Sequence, residues 1–193
     1  MRLIVGMSGA SGVIYGIRLL EALKEESDVE THLVMSDSAK MNINLETEWS
    51  VKDVQALADH LHSNRDISAS IASGSFGTDG MIVAPCAIKT LSAITNSYAD
   101  SLIGRAADVV LKECRRLVLV PRETPLHPGH CELLYRASQL GAIIAPPMPA
   151  HYIKPQTVDD LVNHHVGRIL DLFGIDCGFV QRWKGPQNKN SVE

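Results

Sequence analysis

The sequence predicts a doubly wound parallel α/β sheet, and three observations carry that reading. Short, wholly apolar runs recur along the chain, of the kind that a parallel sheet buries on both faces. Amphipathic segments of helical period lie between them, joined by short connections. The first apolar run ends on a glycine-rich turn, GMSGASG, and a helical pattern follows it directly.

Leu3 to Val5 form the first strand, and Val13, Ile14, Ile17, Leu20 and Leu23 then recur at helical spacing. Thr31 to Met35 form the second strand, followed by Ser36, Asp37 and Ser38, which suit the start of the next helix. Residues 51–63 read as helical. The small, polar run Ser68 to Gly77 has no apolar period and reads as a loop that approaches a ligand. Met81 to Ala84 make the third strand, ending at Pro85, and two helical segments follow; Leu102, Ile103, Ala106, Val109 and Val110 form one face of the second. Leu117 to Val120 make the fourth strand, ending at Pro121. A helix over residues 128–140 leads to a fifth strand, Ala142 to Ala145, after which Pro146, Pro147 and Pro149 forbid either element. Val158, Leu161, Val162, Val166, Ile169, Leu170 and Phe173 give the last amphipathic helix. Residues 1–183 are expected to form a single α/β domain, followed by a polar tail over 184–193.

A chain of 193 residues with 45% hydrophobic content is long enough for one sizeable core. A net charge of -4 leaves no basic field for nucleic acid or an anionic membrane, so phosphate recognition has to be local. Cys86, Cys114, Cys131 and Cys177 form no CxxC pair, which argues against a zinc ribbon or a thioredoxin-type motif. They read as reduced, small apolar residues of a cytoplasmic protein. No run resembles a signal-peptide core or a membrane span.

In an open parallel sheet, ligands bind beyond the carboxyl ends of the strands, which singles out Pro85 to Thr90 and Pro121 to Thr124. Gly6, Gly9 and Gly12 place bare backbone and a helix N-terminus where an anion can approach, although a plain tight turn has the same signature. The turn lacks a P-loop lysine, and Ser36 stands where a dinucleotide site carries an acidic residue, which suits FMN better than NAD. Arg105 and Lys112 lie seven apart at the edge of an apolar stripe; the spacing fits a phosphate clamp, but by itself favours a solvated flank. Arg168 has a similar edge position. Arg122 and Glu123 directly follow the fourth strand, and Tyr152 and Lys154 follow the stiff segment PPMPAH. His127, His130 and Cys131 lack a second ligand pair at zinc spacing, so no metal is expected. His164 and His165 adjoin, so at least one faces away from the core. Trp183 reads either as a core anchor or as a lid.

GMSGASG, ASIASGSFGTDGMIVAPC, KTL, RAADVVLKE, LVLVPRETPLH, PPMPAHYIKPQTVDDLV and GRILDL occur in this order between Arg2 and Trp183. This series resembles the flavin prenyltransferases of the UbiX type, formerly described as phenylacrylic or aromatic acid decarboxylases. The resemblance implies a Rossmann- or flavodoxin-like sheet with helices on both faces. It also implies transfer of a dimethylallyl group from dimethylallyl phosphate to N5 and C6 of reduced FMN. The product is prenylated FMN for a UbiD-type decarboxylase, and the implied enzyme is a metal-independent, large homo-oligomer, a dodecamer.

Carried onto this chain, the family pattern assigns the flavin to Gly9, Ala10, Ser11, Ser36, Ala87, Ile88, Lys89, Thr90 and Arg122. It assigns the prenyl phosphate to Ser73, Arg105, Lys112, Glu123, Tyr152 and Arg168, with Glu46 and Trp183 nearby. Ser11, Glu46, Lys112, Glu123 and Trp183 form the implied catalytic set. Ala87-Ile88 replaces a commoner Ser-Met, and HPGHCELLYRASQ departs from the usual form of its helix. Two other readings stand beside this one: an FMN-dependent decarboxylase of the peptidyl-cysteine type, and a flavin carrier without chemistry. Cys86-Ala87-Ile88-Lys89-Thr90 counts against the first, because those decarboxylases carry Ala-Ser-Ala-Asn-Thr there.

Overall fold

The computed structural model describes residues 1–183 and Gly185; the rest of the expected tail over 184–193 lies outside the described residues. The chain divides into two compact units, Met1–Met148 and Pro149–Glu193.

The first unit holds six parallel strands: β1 (Arg2–Met7), β2 (Glu30–Met35), β3 (His60–Ser63), β4 (Gly80–Cys86), β5 (Arg116–Pro121) and β6 (Ile143–Ile144). Their order is β3-β2-β1-β4-β5-β6. The chain reverses its direction of travel across the sheet between β1 and β4, and a crevice opens there beyond the strands' carboxyl ends. The helices are α1 (Ile14–Lys24), α2 (Asp37–Glu46), α3 (Val51–Gln55), α4 (Ile88–Thr95), α5 (Leu102–Lys112) and α6 (Pro128–Gln139). Ile4, Val34, Met81, Val83, Leu117 and Leu119 share one core with Leu102, Ile103, Ala106 and Val110 of α5, as strand alternation requires. Met7 has the opposite parity and meets α1 at Gly16, so helices cover both faces.

The helix expected over 51–63 is a correction. Helix α3 ends at Gln55, and His60–Ser63 is an edge strand. Its start is fixed by Asp59, whose Oδ2 accepts from the N–H and Oγ1–H of Thr31 at 2.8 and 2.9 Å, while Thr31 Oγ1 accepts from Asp59 N at 3.0 Å. This clamp sets β3 beside β2, and the pairing overrides the weak local pattern. Strand β4 also continues past Pro85 to Cys86 through a shift of register after Val83. The polar run Ser68 to Gly77 contains two single 3-10 turns, Ser70–Ala72 and Gly74–Phe76, that bury Ile71 and Ala72.

The second unit carries a 3-10 turn, His151–Ile153, and helix α7 (Val158–Asp171). Thr157 and Asp160 form a capping box at its start. A Cβ at Gly167 would stand 2.6 Å from Val180 Cγ2, so α7 holds the Phe179-Val180 segment by close backbone approach. Val158, expected on the apolar face, is 76% exposed. Among the described residues no helix is long and apolar enough to cross a membrane.

Candidate functional site

A cavity of about 310 Å³ is lined by Gly9, Ser36, Ser38, Ala87, Lys89 and Thr90, with Ser101 and Gly104 of the α5 start. Four separate stretches of sequence meet here, three of them just past a strand. Ser36 donates its N–H to Met7 O at 3.0 Å, and its Oγ caps α2 by accepting from Ala39 N at 3.1 Å. A Cβ at Gly9 would stand 2.3 Å from Ser38 Cβ. The glycine is therefore required by the close approach of α2, which frames the cavity wall.

Helix α4 begins at this cavity with Ala87 as its N-cap, a residue with no side-chain oxygen to offer. The amides of its first turn are left without a capping side chain, and with the helix dipole they form a slot for an anion. Ser8 fixes the approach to this turn. It is 1% exposed; its Oγ donates to Pro85 O at 3.0 Å and accepts from Ala87 N at 2.7 Å. Sequence reasoning missed Ser8, since a serine between Met7 and Gly9 reads as part of the turn.

The start of α1 is arranged differently from the expectation that it offers N–H groups to a ligand. Glu46 Oε2 accepts from Gly12 N at 2.8 Å and Val13 N at 3.3 Å, so the chain supplies its own anion there. Asn42 also holds the turn, through Nδ2 to Ala10 O at 3.1 Å. Ser11 lies exposed on this turn, with Glu46 bonded to the residue after it.

The cations of α5 meet the Ser70–Phe76 segment. Arg105 donates Nε to Ala72 O and Nη1 to Asp108 Oδ2, both at 3.2 Å. Lys112 pairs with Glu113 and reaches Gly74, while Ser73 Oγ lies 2.9 Å from Ser75 Oγ. Arg115, absent from the sequence reading, binds Gly74 O at 2.6 Å and so anchors the same segment. Arg122 and Glu123 are exposed just beyond β5; Arg122 N–H donates to Cys86 O at 3.3 Å, and Glu123 Oε1 accepts from Thr124 N at 3.0 Å. Burial pushes the Cys86 thiol up to about 12, which removes it from chemistry.

In the second unit, Tyr152, His164 and Trp183 form one cluster. The Tyr152 hydroxyl lies 3.0 Å from His164 Nε2, and Trp183 meets the Tyr152 ring edge-on at 5.7 Å. Trp183 is 65% exposed, which sets aside its reading as a core anchor within this chain. His164 is buried, and burial, with Arg168 nearby, holds its pKa below the ordinary imidazole value. Arg168 Nη1 donates to Asp171 at 2.7 Å. A cavity of about 810 Å³ is bounded by Tyr152, Lys154, Arg182 and Trp183. The candidate residues thus fall into a flavin-type set and part of a phosphate set in the first unit, and an aromatic and cationic set in the second.

The Flavoprotein family model matches residues 1–170. Flavin prenyltransferase UbiX of Escherichia coli (strain K12) is 58% identical over 186 residues, covering 95% of this chain and 98% of the relative. The chain belongs to the UbiX-type flavin prenyltransferase family. Two solved members of UbiX type match its fold with a TM-score of 0.94. AnUbiX (PadA1), solved in complex with FMN and dimethylallyl pyrophosphate, is 50% identical, covering 96% of this chain and 98% of that one. The dodecameric FMN-dependent UbiX-like decarboxylase from Escherichia coli O157:H7 is 57% identical, covering 96% and 100%.

Proposed function

We propose that this chain is a flavin prenyltransferase that moves a dimethylallyl group from dimethylallyl phosphate onto N5 and C6 of reduced FMN. The observation that carries this reading is the convergence of Gly9, Ser36 and Ala87 to Thr90 on one cavity beside the uncapped start of α4. The residues present fit the flavin: an anion slot suits its phosphate, and the narrow wall at Gly9 and Ser36 leaves out an acidic ribose ligand.

Bound reduced FMN supplies the nucleophilic N5 and, for ring closure, C6. Arg105, Lys112 and Arg168 hold the prenyl phosphate and stabilise the charge that builds as the allylic C–O bond breaks. Ser73 and Tyr152 orient that phosphate, with Tyr152 itself oriented by His164. Trp183 presents an aromatic face that shelters allylic positive charge without quenching it. Ser11 and Glu123 move protons from the flavin edge toward the departing phosphate, and Glu46 holds the turn that carries Ser11. Arg122 contacts the flavin from the end of β5.

A UbiD-type decarboxylase as recipient of the product, a dodecameric assembly and a cytoplasmic location belong to the same proposal. The dodecameric relative supports the assembly, and four free cysteines support a reducing compartment. Anaerobic incubation with reduced FMN and dimethylallyl phosphate, followed by mass measurement of the flavin, tests the reaction. The expected result is a gain of one dimethylallyl unit. A bound flavin of unchanged mass would leave the carrier reading in place.

A further inference from the structure

Toward the amino-terminal ends of β2 and β3, away from the flavin cavity at the carboxyl ends, Glu30, His32 and His60 gather on one face, with His62 two residues further along β3. Each pair is two residues apart along its strand, and the register sets His32 beside His60. Glu30 Oε1 lies 3.0 Å from His32 Nε2 and 3.2 Å from His60 Nε2. One ligand atom from each of these three residues lies within 4.8 Å of the others. We propose that Glu30, His32 and His60 bind a divalent transition-metal ion of the zinc class.

Zinc bonds of about 2.0 to 2.2 Å at tetrahedral angles set neighbouring ligand atoms roughly 3.3 Å apart, so the two short distances need to open by only tenths of an ångström. Imidazole with carboxylate selects zinc, nickel, cobalt or copper over calcium or magnesium. His32 is 2% exposed, with its ring stacked on His60 at 4.6 Å and edge-on to Phe76 at 5.3 Å, so its orientation is fixed before an ion arrives. Arg2 takes the other carboxylate oxygen, Glu30 Oε2, at 3.0 Å and leaves Oε1 to the ion.

The protons balance without a net release. In the ion's absence Glu30 Oε1 accepts from Nε2–H of both His32 and His60. On ligation each imidazole keeps one proton, moved to Nδ1. His32 Nδ1–H then donates to His62 Nε2, which lies 2.9 Å away, the outer-shell hydrogen bond that metal-bound histidines require. Such an ion would bond the four-residue edge strand β3 to β2.

The test strips the full-length protein with a chelator and titrates it with Co²⁺ and then Zn²⁺. The expected result is one Co²⁺ per chain with a visible ligand-field band, displacement by Zn²⁺, and a raised thermal midpoint in zinc. His60→Ala removes an exposed ligand from an edge strand and should lower zinc affinity at least tenfold, abolish the cobalt band and leave FMN affinity unchanged. His127→Ala, far along the sequence, should behave as wild type. Wild-type protein that binds no stoichiometric cobalt or zinc, or His60→Ala with the wild-type affinity and spectrum, overturns the proposal. Either outcome is independent of prenyl transfer.

Discussion

Replacing Ser8 by alanine isolates what holds the start of α4. The hydroxyl is fully buried and makes two bonds, to Pro85 O at 3.0 Å and from Ala87 N at 2.7 Å. Pro85 O keeps a second donor in Ser8 N at 3.1 Å, so the loss falls on the Ala87 N–H. The part-buried Ala87 N–H left without a partner costs up to about 3 kcal/mol, and nearer to about 1 kcal/mol where water reaches it. With a urea slope of roughly 2 kcal/mol per molar, the unfolding midpoint should fall by about 0.5 to 1.5 M. The same change frees the turn whose amides face the cavity, so FMN affinity should weaken by about tenfold, equivalent to about 1.4 kcal/mol. Urea unfolding followed by circular dichroism gives the first quantity, and flavin fluorescence titration the second. A midpoint and an FMN affinity both equal to wild type would refute the argument that this hydroxyl positions the anion slot.

Gly9→Ala should destabilise by about 1 to 3 kcal/mol through overpacking against Ser38 and weaken FMN binding, as checked by thermal unfolding and flavin titration. Lys112→Met or Arg168→Met should leave FMN affinity near wild type and lower catalytic efficiency for prenyl transfer roughly tenfold to a hundredfold. A defect confined to FMN binding would show the cation to be at the wrong ligand. Glu123→Gln should bind flavin and lose turnover; an unchanged rate removes Glu123 from proton transfer. Arg182 and then Arg168 hold the Asp171 carboxyl below the ordinary aspartate range, so its contribution is full above the unfolded value of about 3.9 and disappears as pH falls through the lowered folded value. In a Trp49→Phe background, Trp183 fluorescence should therefore hold steady to about pH 4 and change below it. The change should be absent in Asp171→Asn.

The sequence reveals β1, β2, β4, β5 and β6, each of which carries an apolar run. Strand β3 is His-Leu-His-Ser, largely exposed, and owes its conformation to the Asp59 and Thr31 clamp and to pairing with β2. Neither cause is visible in a local pattern. The cavity was legible at the level of strand ends, because an open parallel sheet puts its ligands there whatever the side chains are. Ser8 and Glu46 show the limit: each acts on backbone groups brought to it by tertiary packing, Ser8 on residues 77 and 79 positions away, Glu46 on residues 34 and 33 positions away. The alternation of Glu30 with His32 and of His60 with His62 was present in the sequence, but only the β2–β3 register turns two pairs into one cluster.

Spacing alone made Arg105 and Lys112 a solvated flank, and the proposed prenyl-phosphate role has to be reconciled with the ion pairs they make. Arg105 pairs with Asp108, Lys112 with Glu113 and Arg168 with Asp171. An exposed ion pair contributes at most about 1 kcal/mol. A charge-assisted bond to a phosphate contributes about 1.5 to 3 kcal/mol, so a bound donor wins the cations from these carboxylates. The pairs then serve before binding, by holding flexible heads near their working positions and reducing the entropy lost when the phosphate arrives. They serve again after it: each carboxylate sits on the same helix as its cation or directly beyond its end, and competes for it as the phosphate departs. A site built from cations without such partners would bind its donor more tightly and release inorganic phosphate more slowly. On the proposed assignment of these cations to the prenyl phosphate, the acidic neighbours take part in its binding and release without touching substrate.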